Sequence, residues 1–213
     1  EYSDTGKTHK MRLAVVKIFD KPDVDDKTGR KTWNLSGILQ DPSHKAAIDK
    51  LILQAATKLW GEKARDRLKH PKCKLPFKTG KEMAKVDGER YNGFEDDDAI
   101  NVKFSSSQGA PGVVSSKAQR ITDWDGTTLV DKEADVSEGI EENAVYSGMF
   151  GRVSYTAQAY QRSDGFGVSL KLENLQKMGD GERLSGGRAK AEDDFEAIEA
   201  DNDDNLLDNA DFL

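Results

Sequence analysis

The sequence predicts a mainly β fold: a small, partly open barrel of five strands with one α-helix inserted between strands 2 and 3. Runs of β-branched and alternating residues recur along the chain, whereas only one segment has the apolar spacing of a helix. Strands and helices do not alternate regularly, which argues against a doubly wound sheet. The last 25 residues hold ten acidic residues and one basic residue, so we expect a disordered tail after the barrel.

The first half of the chain contains two predicted strands and the helix. Strand 1 is expected at Met11–Phe19, a β-branched run that ends at the turn residues Asp20-Lys21-Pro22. Strand 2 is expected at Lys31–Leu39, after a polar loop. The helix should begin at Asp41-Pro42-Ser43, where an N-cap residue precedes a proline, and it should continue to Trp60.

A strongly basic stretch follows the helix. Residues Lys58–Lys85 contain ten basic and three acidic side chains. Pro71, Pro76 and Gly80 interrupt this stretch, so its second half is expected to be a loop.

The second half of the chain contains the remaining strands. Strand 3 is predicted at Ala99–Ser106, and a short extra strand is predicted around Val113. Residues Ile121–Glu142 are expected to be rich in loops, with a hairpin turn at Asp125-Gly126.

Strands 4 and 5 form the clearest predicted hairpin. Tyr146–Gln161 and Phe166–Leu175 flank Ser163-Asp164-Gly165, a loop with the glycine that such turns favour. Alternation along strand 4 separates two faces. The face expected to be core contains Met149, Val153, Tyr155, Ala157 and Ala159.

The charge distribution predicts a basic domain, residues 1–188, followed by an acidic tail, residues 189–213. The whole chain has 32 basic and 39 acidic side chains, but the domain alone has 31 and 29. A polyanionic tail on a cationic body can compete for a groove that holds phosphates. The single Cys73 excludes an internal disulfide and suits the cytoplasm, and no apolar run reaches the roughly 18 residues of a membrane span.

The sequence offers little support for an enzyme, a metal site or a cofactor. None of the three histidines has a spacing that pairs it with a nucleophile. His70 and Cys73 could supply two zinc ligands, but a structural site needs four and the chain has no second pair.

The remaining chemistry is that of a single-strand binder, which combines a cationic groove with aromatic faces for the bases. Phe150 next to Arg152 has this character, although each aromatic residue could instead serve packing. The candidates for base stacking are Phe150, Tyr91, Phe94, Trp33 and Phe77. The candidates for phosphate contact are Arg152, Lys72, Lys74, Lys78, Lys81, Arg90 and Lys103.

Three segments resemble a family of tailed-phage replication proteins. They are YSGMFGRVSYTAQAY (146–160), GVSLKLENLQKMGDGERLSGGR (167–188) and AEDDF (191–195). The resemblance implies a single-stranded DNA-binding protein with a variant OB-fold and an acidic, disordered C-terminus. The loop Ala118–Glu142 and the length of the tail after Phe195 depart from the family pattern.

The expected function is therefore sequence-independent coating of single-stranded DNA in phage replication and recombination, in the host cytoplasm and without catalysis. By analogy with other single-strand binders, the tail would recruit replication proteins through Asp208, Asp211 and Phe212. A homodimer is compatible with the sequence, whereas a membrane is not an expected partner. The alternative is a chaperone-like interaction protein whose acidic tail binds basic partners.

Overall fold

The computed structural model describes residues 1–19, 22–124, 129–131 and 145–184. Its strands are β1 Tyr2–Lys7, β2 Met11–Lys17, β3 Asp23–Val24, β4 Lys31–Leu39, β5 Cys73–Lys74, β6 Phe77–Thr79, β7 Ile100–Ser106, β8 Gly112–Val114, β9 Thr122–Trp124, β10 Leu129–Asp131, β11 Phe150–Arg162 and β12 Gly165–Gly179. Its helices are α1 Pro42–Trp60 and α2 Ala64–Lys69, and 3-10 turns occupy Gly61–Lys63 and Gly80–Glu82.

Five strands close into a ring in the order β2, β4, β7, β12, β11 and back to β2. The β7–β12 pairing is parallel, and the other four pairings are antiparallel. Two residue pairs join β11 to β2 and two join β12 to β7, so the ring is a partly open barrel. These are the five strands that the sequence predicts, with the helix between the second and the third, and the predicted fold class is confirmed.

The core lies inside the ring, where alternate residues of β2, β7, β11 and β12 are buried, whereas β4 is buried on both faces over residues 33–37. All five residues predicted for the core face of β11 and its approach are at most 2% exposed: Met149, Val153, Tyr155, Ala157 and Ala159. Helix α1 begins where predicted, since the Asp41 side chain accepts a hydrogen bond from the Ser43 amide at 2.7 Å. It closes the core with Ile48, Ile52, Ala55 and Ala56.

The sequence analysis missed several short elements. Strand β1 was not predicted because Tyr2–Lys7 is polar, yet it pairs with β11 along the outside of the ring. Helix α2 and strands β5 and β6 lie in the stretch predicted as helix end and loop. They are two to six residues long and carry too many charged residues for a clear periodic pattern.

Strand β11 begins at Phe150, four residues later than predicted. Gly148 precedes it with a φ of +111°, a left-handed conformation that favours glycine. A Cβ atom at Gly148 would lie 2.0 Å from the Glu182 carbonyl oxygen, so the backbone of the segment after β12 occupies that space. The predicted hairpin between β11 and β12 is confirmed, and Gly165 pairs with Arg162 at its tip.

Two predictions fall outside the described residues: the turn at Asp125-Gly126 and the whole acidic tail. Strands β9 and β10, which flank that turn, pair with each other in antiparallel orientation. Among the described helices, none is both long and apolar enough to cross a bilayer.

Candidate nucleic-acid interface

A cavity of about 430 Å³ opens beside the β11–β12 turn, and we call it the turn-end cavity. It lies where β1, the loop before β4, the end of β7, β5 and the β11–β12 hairpin meet. Four basic side chains and one acidic side chain line it: Arg30, Lys74, Arg162, Lys171 and Asp164. Its electrostatics favour a polyanion.

Two tyrosines share the turn-end cavity with these basic residues. Tyr2 is 45% exposed, and Tyr160 is half-buried on the outer face of β11. The Arg162 guanidinium lies 5.2 Å from the centre of the Tyr160 ring, and burial raises the pKa of the Tyr160 hydroxyl. A flat ring next to fixed positive charge can stack on a base while the charge contacts the adjacent phosphate.

A second cavity of about 260 Å³ lies on the outer face of the barrel, and we call it the strand-face cavity. Asn34 and Ser36 of β4 and Asn101 of β7 form its polar floor. Apolar walls flank this floor: Val15 on one side, and Leu75, Pro76 and Met83 on the other. Lys78 and Lys103 also line the cavity, and both are exposed.

The strand register joins the two cavities. Lys17 of β2 pairs with Asn34 of β4, Asn34 pairs with Ser105 of β7, and Ser105 pairs with Lys171 of β12. This row crosses the outer face of the barrel from the strand-face cavity, which Lys17 and Asn34 line, to the turn-end cavity, which Ser105 and Lys171 line. The two cavities therefore lie next to each other on this face, and we call them together the groove.

Hydrogen bonds join three side chains at the edge of the groove: Lys17, Asp23 and Asn34. The Lys17 ammonium donates to Asp23 at 2.9 Å, and the Asn34 amide nitrogen donates to the other oxygen of Asp23 at 2.6 Å. The hydrogen bond from Lys17 holds the pKa of Asp23 below its ordinary value, so the carboxylate acts only as an acceptor. The Asn34 side chain is thus held with its nitrogen toward Asp23.

Four of the predicted site residues line the groove: Lys74, Phe77, Lys78 and Lys103. Phe77 lies opposite Val102 in the β6–β7 pairing, packs partly against the core, and has the Lys45 ammonium 4.4 Å from its ring centre. The three lysines are exposed and form no ion pair with any residue in the described ranges.

Three further predicted residues are buried or hydrogen-bonded within the fold. Trp33 is 6% exposed, and its indole nitrogen donates to the Phe19 carbonyl oxygen at 3.1 Å. Phe94 is 1% exposed. Arg90 binds the Asp97 carboxylate and the Gly80 carbonyl oxygen. Since neither aromatic ring offers an open face and this guanidinium is already bound, we leave all three out of the groove.

The remaining predicted residues lie on the surface outside the groove. Tyr91, Lys72 and Lys81 are exposed and line neither cavity. Phe150 is half-buried beneath the Lys10 ammonium, which lies 4.7 Å from its ring centre. Arg152 donates to the Gln176 side chain at 2.8 Å, in a separate cavity of about 180 Å³.

Sequence reasoning missed Tyr2, Arg30, Tyr160, Arg162 and Lys171 as site residues. Tyr160 follows the predicted core residue Ala159, so alternation puts it on the outer face of strand 4, and Arg162 follows two residues later. The signal that could have selected these two residues is their place beside the strand 4–5 turn, because OB-folds bind oligonucleotides with that loop and with the face of strands 2 and 3.

The described side chains contain no group of three or more His, Cys, Asp and Glu residues placed to hold a metal ion. The groove offers positive charge, hydrogen-bonding groups and aromatic rings.

The chain matches the sequence profile of a protein family over residues 5–207; the profile is described as "Enterobacter phage Enc34, ssDNA-binding protein". No curated protein sequence matches the chain. The fold is similar to that of the single-stranded DNA-binding protein from bacteriophage Enc34 in complex with ssDNA, with a TM-score of 0.59 and 16% identity, covering 85% of this chain and 89% of that chain. It is also similar to gp2.5, a single-stranded DNA-binding protein encoded by bacteriophage T7, with a TM-score of 0.52 and 14% identity. This similarity covers 90% of this chain and 92% of that chain.

At such low identity the solved structures establish the likeness of the fold, whereas the profile match extends over nearly the whole chain. The predicted resemblance to tailed-phage single-strand binders is confirmed, as is the prediction of a binding protein rather than an enzyme. The chain belongs to the Enc34 family of phage single-stranded DNA-binding proteins.

Proposed function

We propose that this protein binds single-stranded DNA along the groove, without sequence-specific recognition overall and without catalysis. The observation that carries the proposal is the turn-end cavity, where four basic side chains lie beside the rings of Tyr2 and Tyr160, next to the strand-face cavity with its lysines. Lys and Arg side chains displace counterions from the phosphates, and the aromatic rings stack on unpaired bases. Tyr160 with Arg162 supplies both interactions at the turn end.

The place of action would be the cytoplasm of the infected host, where the protein would coat strands exposed during replication and recombination. Support for this role comes from the family.

The acidic tail, residues 189–213, would compete with DNA for the groove. The tail is tethered to the domain, so its effective concentration at the groove is on the order of millimolar and even weak binding is populated. When DNA displaces it, the tail would recruit replication proteins, with Phe212 as an apolar contact between carboxylates such as Asp208 and Asp211. The domain of residues 1–188 would bind DNA without the tail.

Fluorescence anisotropy with labelled oligo-dT at two salt concentrations tests the proposal. We expect the single strand to bind more tightly than a duplex of equal length, because the bases of a duplex are already stacked. The logarithm of the affinity should fall linearly with the logarithm of salt, by about 0.7 for each phosphate contacted. Equal affinity for single strand and duplex would rule out stacking in the groove and leave a general polycation surface.

A further inference from the structure

The floor of the strand-face cavity contains polar atoms that the fold leaves unsatisfied. Asn34, Ser36 and Asn101 are only 6%, 4% and 5% exposed. The Oδ1 atoms of Asn34 and Asn101 and the Oγ atom of Ser36 are buried, and none has a hydrogen-bond partner within the described structure. Buried polar groups are nearly always paired, so three orphaned oxygens at one site need a physical explanation.

One of these oxygens has a fixed hydrogen-bonding role. The Asn34 nitrogen donates to Asp23, which cannot donate in return because it is ionised. Rotating the amide by half a turn would set its oxygen against the carboxylate. Asn34 Oδ1 is therefore held as an acceptor, whereas the Ser36 hydroxyl and the Asn101 amide, which has no such partner, can each donate or accept.

The dimensions of the cavity suit one flat ring. Its volume of about 260 Å³ is below the roughly 300–1,000 Å³ of pockets that hold drug-sized ligands. Val15, Leu75 and Met83 line the cavity beside the polar floor, so a planar ring in it would have apolar neighbours. Lys78 and Lys103 also line the cavity, where a phosphate attached to that ring would lie.

We propose that the strand-face cavity is a subsite for a single nucleobase with an exocyclic amino group, such as cytosine. Because these oxygens are closed to solvent in the free protein, the floor side chains would shift toward the cavity on binding. The amino group would then donate to Asn34 Oδ1, and Ser36 or Asn101 would donate to the adjacent ring nitrogen. Uracil and thymine present a carbonyl oxygen where cytosine has its amino group, which would set two acceptors against each other. The inference rests on the proposed function, and it adds a base preference to a groove that otherwise tolerates any sequence.

Deoxycytidine and deoxyuridine oligomers of equal length provide the test, because their bases differ only in the groups that meet the floor. We expect the native full-length chain to bind oligo-dC roughly threefold to tenfold more tightly than oligo-dU at neutral pH, the range expected for one added hydrogen bond. Asn34→Ala should reduce this ratio to near one by weakening only oligo-dC binding. Asn174→Ala makes the same change at an exposed position outside the groove, so it should leave the ratio as it is in the native chain.

Thermal melting accompanies each variant, since Asn34→Ala also removes the hydrogen bond to Asp23. If that variant does not fold, Asn101→Ala and Ser36→Ala provide the test, because Asn101 Oδ1 and Ser36 Oγ have no hydrogen-bond partner among the described residues. A native ratio of one, or a ratio that persists in the floor variants, would overturn the base subsite while leaving DNA binding intact. Failure of both oligomers to bind would instead overturn the proposed function.

Discussion

The two ends of β11 have the same local chemistry in different surroundings. Phe150 and Arg152 lie at its start, Tyr160 and Arg162 lie at its end, and all four are on the outer face. At the start, neither the ring nor the arginine lines the groove, and the arginine donates a hydrogen bond to Gln176. At the end, the ring and the arginine line the turn-end cavity with Arg30, Lys74 and Lys171.

This difference shows that an aromatic residue near an arginine indicates the outer face of the strand, but does not by itself indicate a binding site. The two rings are about 33 Å apart along the strand, at roughly 3.3 Å per residue. Only the end of β11 adjoins the face of β4 and β7, and that neighbourhood comes from residues remote in the chain, such as Arg30 and Lys74. We therefore expect the end of β11 to contribute more to DNA binding than its start.

The largest effect should come from removing two basic side chains at one end. Lys74→Ala with Arg162→Ala should weaken oligo-dT binding roughly a hundredfold at low salt, since a hydrogen bond to a charged group contributes about 1.5 kcal/mol or more. The salt slope should become shallower by about 0.7 for each lost contact. Anisotropy titrations at several salt concentrations measure both quantities.

The matched control removes one lysine and one arginine at the start of β11: Lys10→Ala with Arg152→Ala. It makes the same change in net charge, so a loss caused by general electrostatics would be the same in both double variants. Equal losses would contradict the comparison and restore the start of β11 as a site of equal importance.

A smaller effect is expected from the aromatic rings. Tyr160→Leu should weaken oligo-dT binding about tenfold, within the range of roughly 1–3 kcal/mol for one stacked base, while the salt slope stays nearly unchanged. Leucine keeps the half-buried part of the side chain packed, so circular dichroism should show a native fold. Phe150→Leu should weaken binding less than threefold, because that ring lies outside the groove. A larger loss for Phe150→Leu than for Tyr160→Leu would reverse our ranking.

The strands were predictable because their signal is local. Runs of β-branched residues bounded by turn residues identified the five members of the ring, and alternation, which repeats every two residues, identified the buried face of β11. The N-cap at Asp41 was predictable for the same reason. The polar strand β1 was not predictable, because it pairs with β11 and has no apolar face of its own.

The groove was only partly predictable because several remote segments build it. The basic stretch Lys58–Lys85 supplies Lys74 and Lys78, which sequence analysis selected on charge alone. Trp33 looked equally suitable, but its place on the inner face of β4 depends on the strand register. The floor of Asn34, Ser36 and Asn101 has no sequence signal, because polar residues on a strand normally mark a solvated face.

Removing the tail should moderately raise the affinity for oligo-dT, whereas the substitutions above lower it. The described chain ends at Leu184, whose amide donates to the Ser147 carbonyl oxygen at 3.0 Å, close to the start of β11. If residues 185–213 behave as the disordered chain that their composition predicts, they would span about 30 Å and could reach the far end of β11. Deleting residues 189–213 should tighten oligo-dT binding roughly twofold to tenfold at low salt and very little at high salt.

The site at which the tail acts can be located with the groove variants. If the tail competes at the turn end, its deletion should have little effect in the Lys74→Ala, Arg162→Ala background and its full effect in the Lys10→Ala, Arg152→Ala background. The opposite pattern would place the tail on the start of β11. Unchanged or weaker DNA binding without the tail would exclude competition altogether.

The smallest expected effect concerns the third aromatic residue of β11, Tyr155, which faces inward and is 1% exposed. Burial raises the pKa of its hydroxyl to about 12, above the value of about 10 in an unfolded chain. Between these two values the unfolded state loses the proton first, so the stability that Tyr155 contributes is present below pH 10 and is lost as pH rises toward 12. At pH 11 the loss of unfolding free energy should be about 1 kcal/mol.

Urea unfolding at pH 8 and pH 11 measures this effect. Tyr155→Phe should lose less unfolding free energy at pH 11 than the native chain does, and comparing the two proteins cancels the titration of their shared lysines. Oligo-dT affinity should be the same for both, because this ring lies inside the barrel. A change in affinity without a change in alkaline stability would mean that the inner face of β11 also contacts DNA, and the division of this strand into a core face and a binding face would fail.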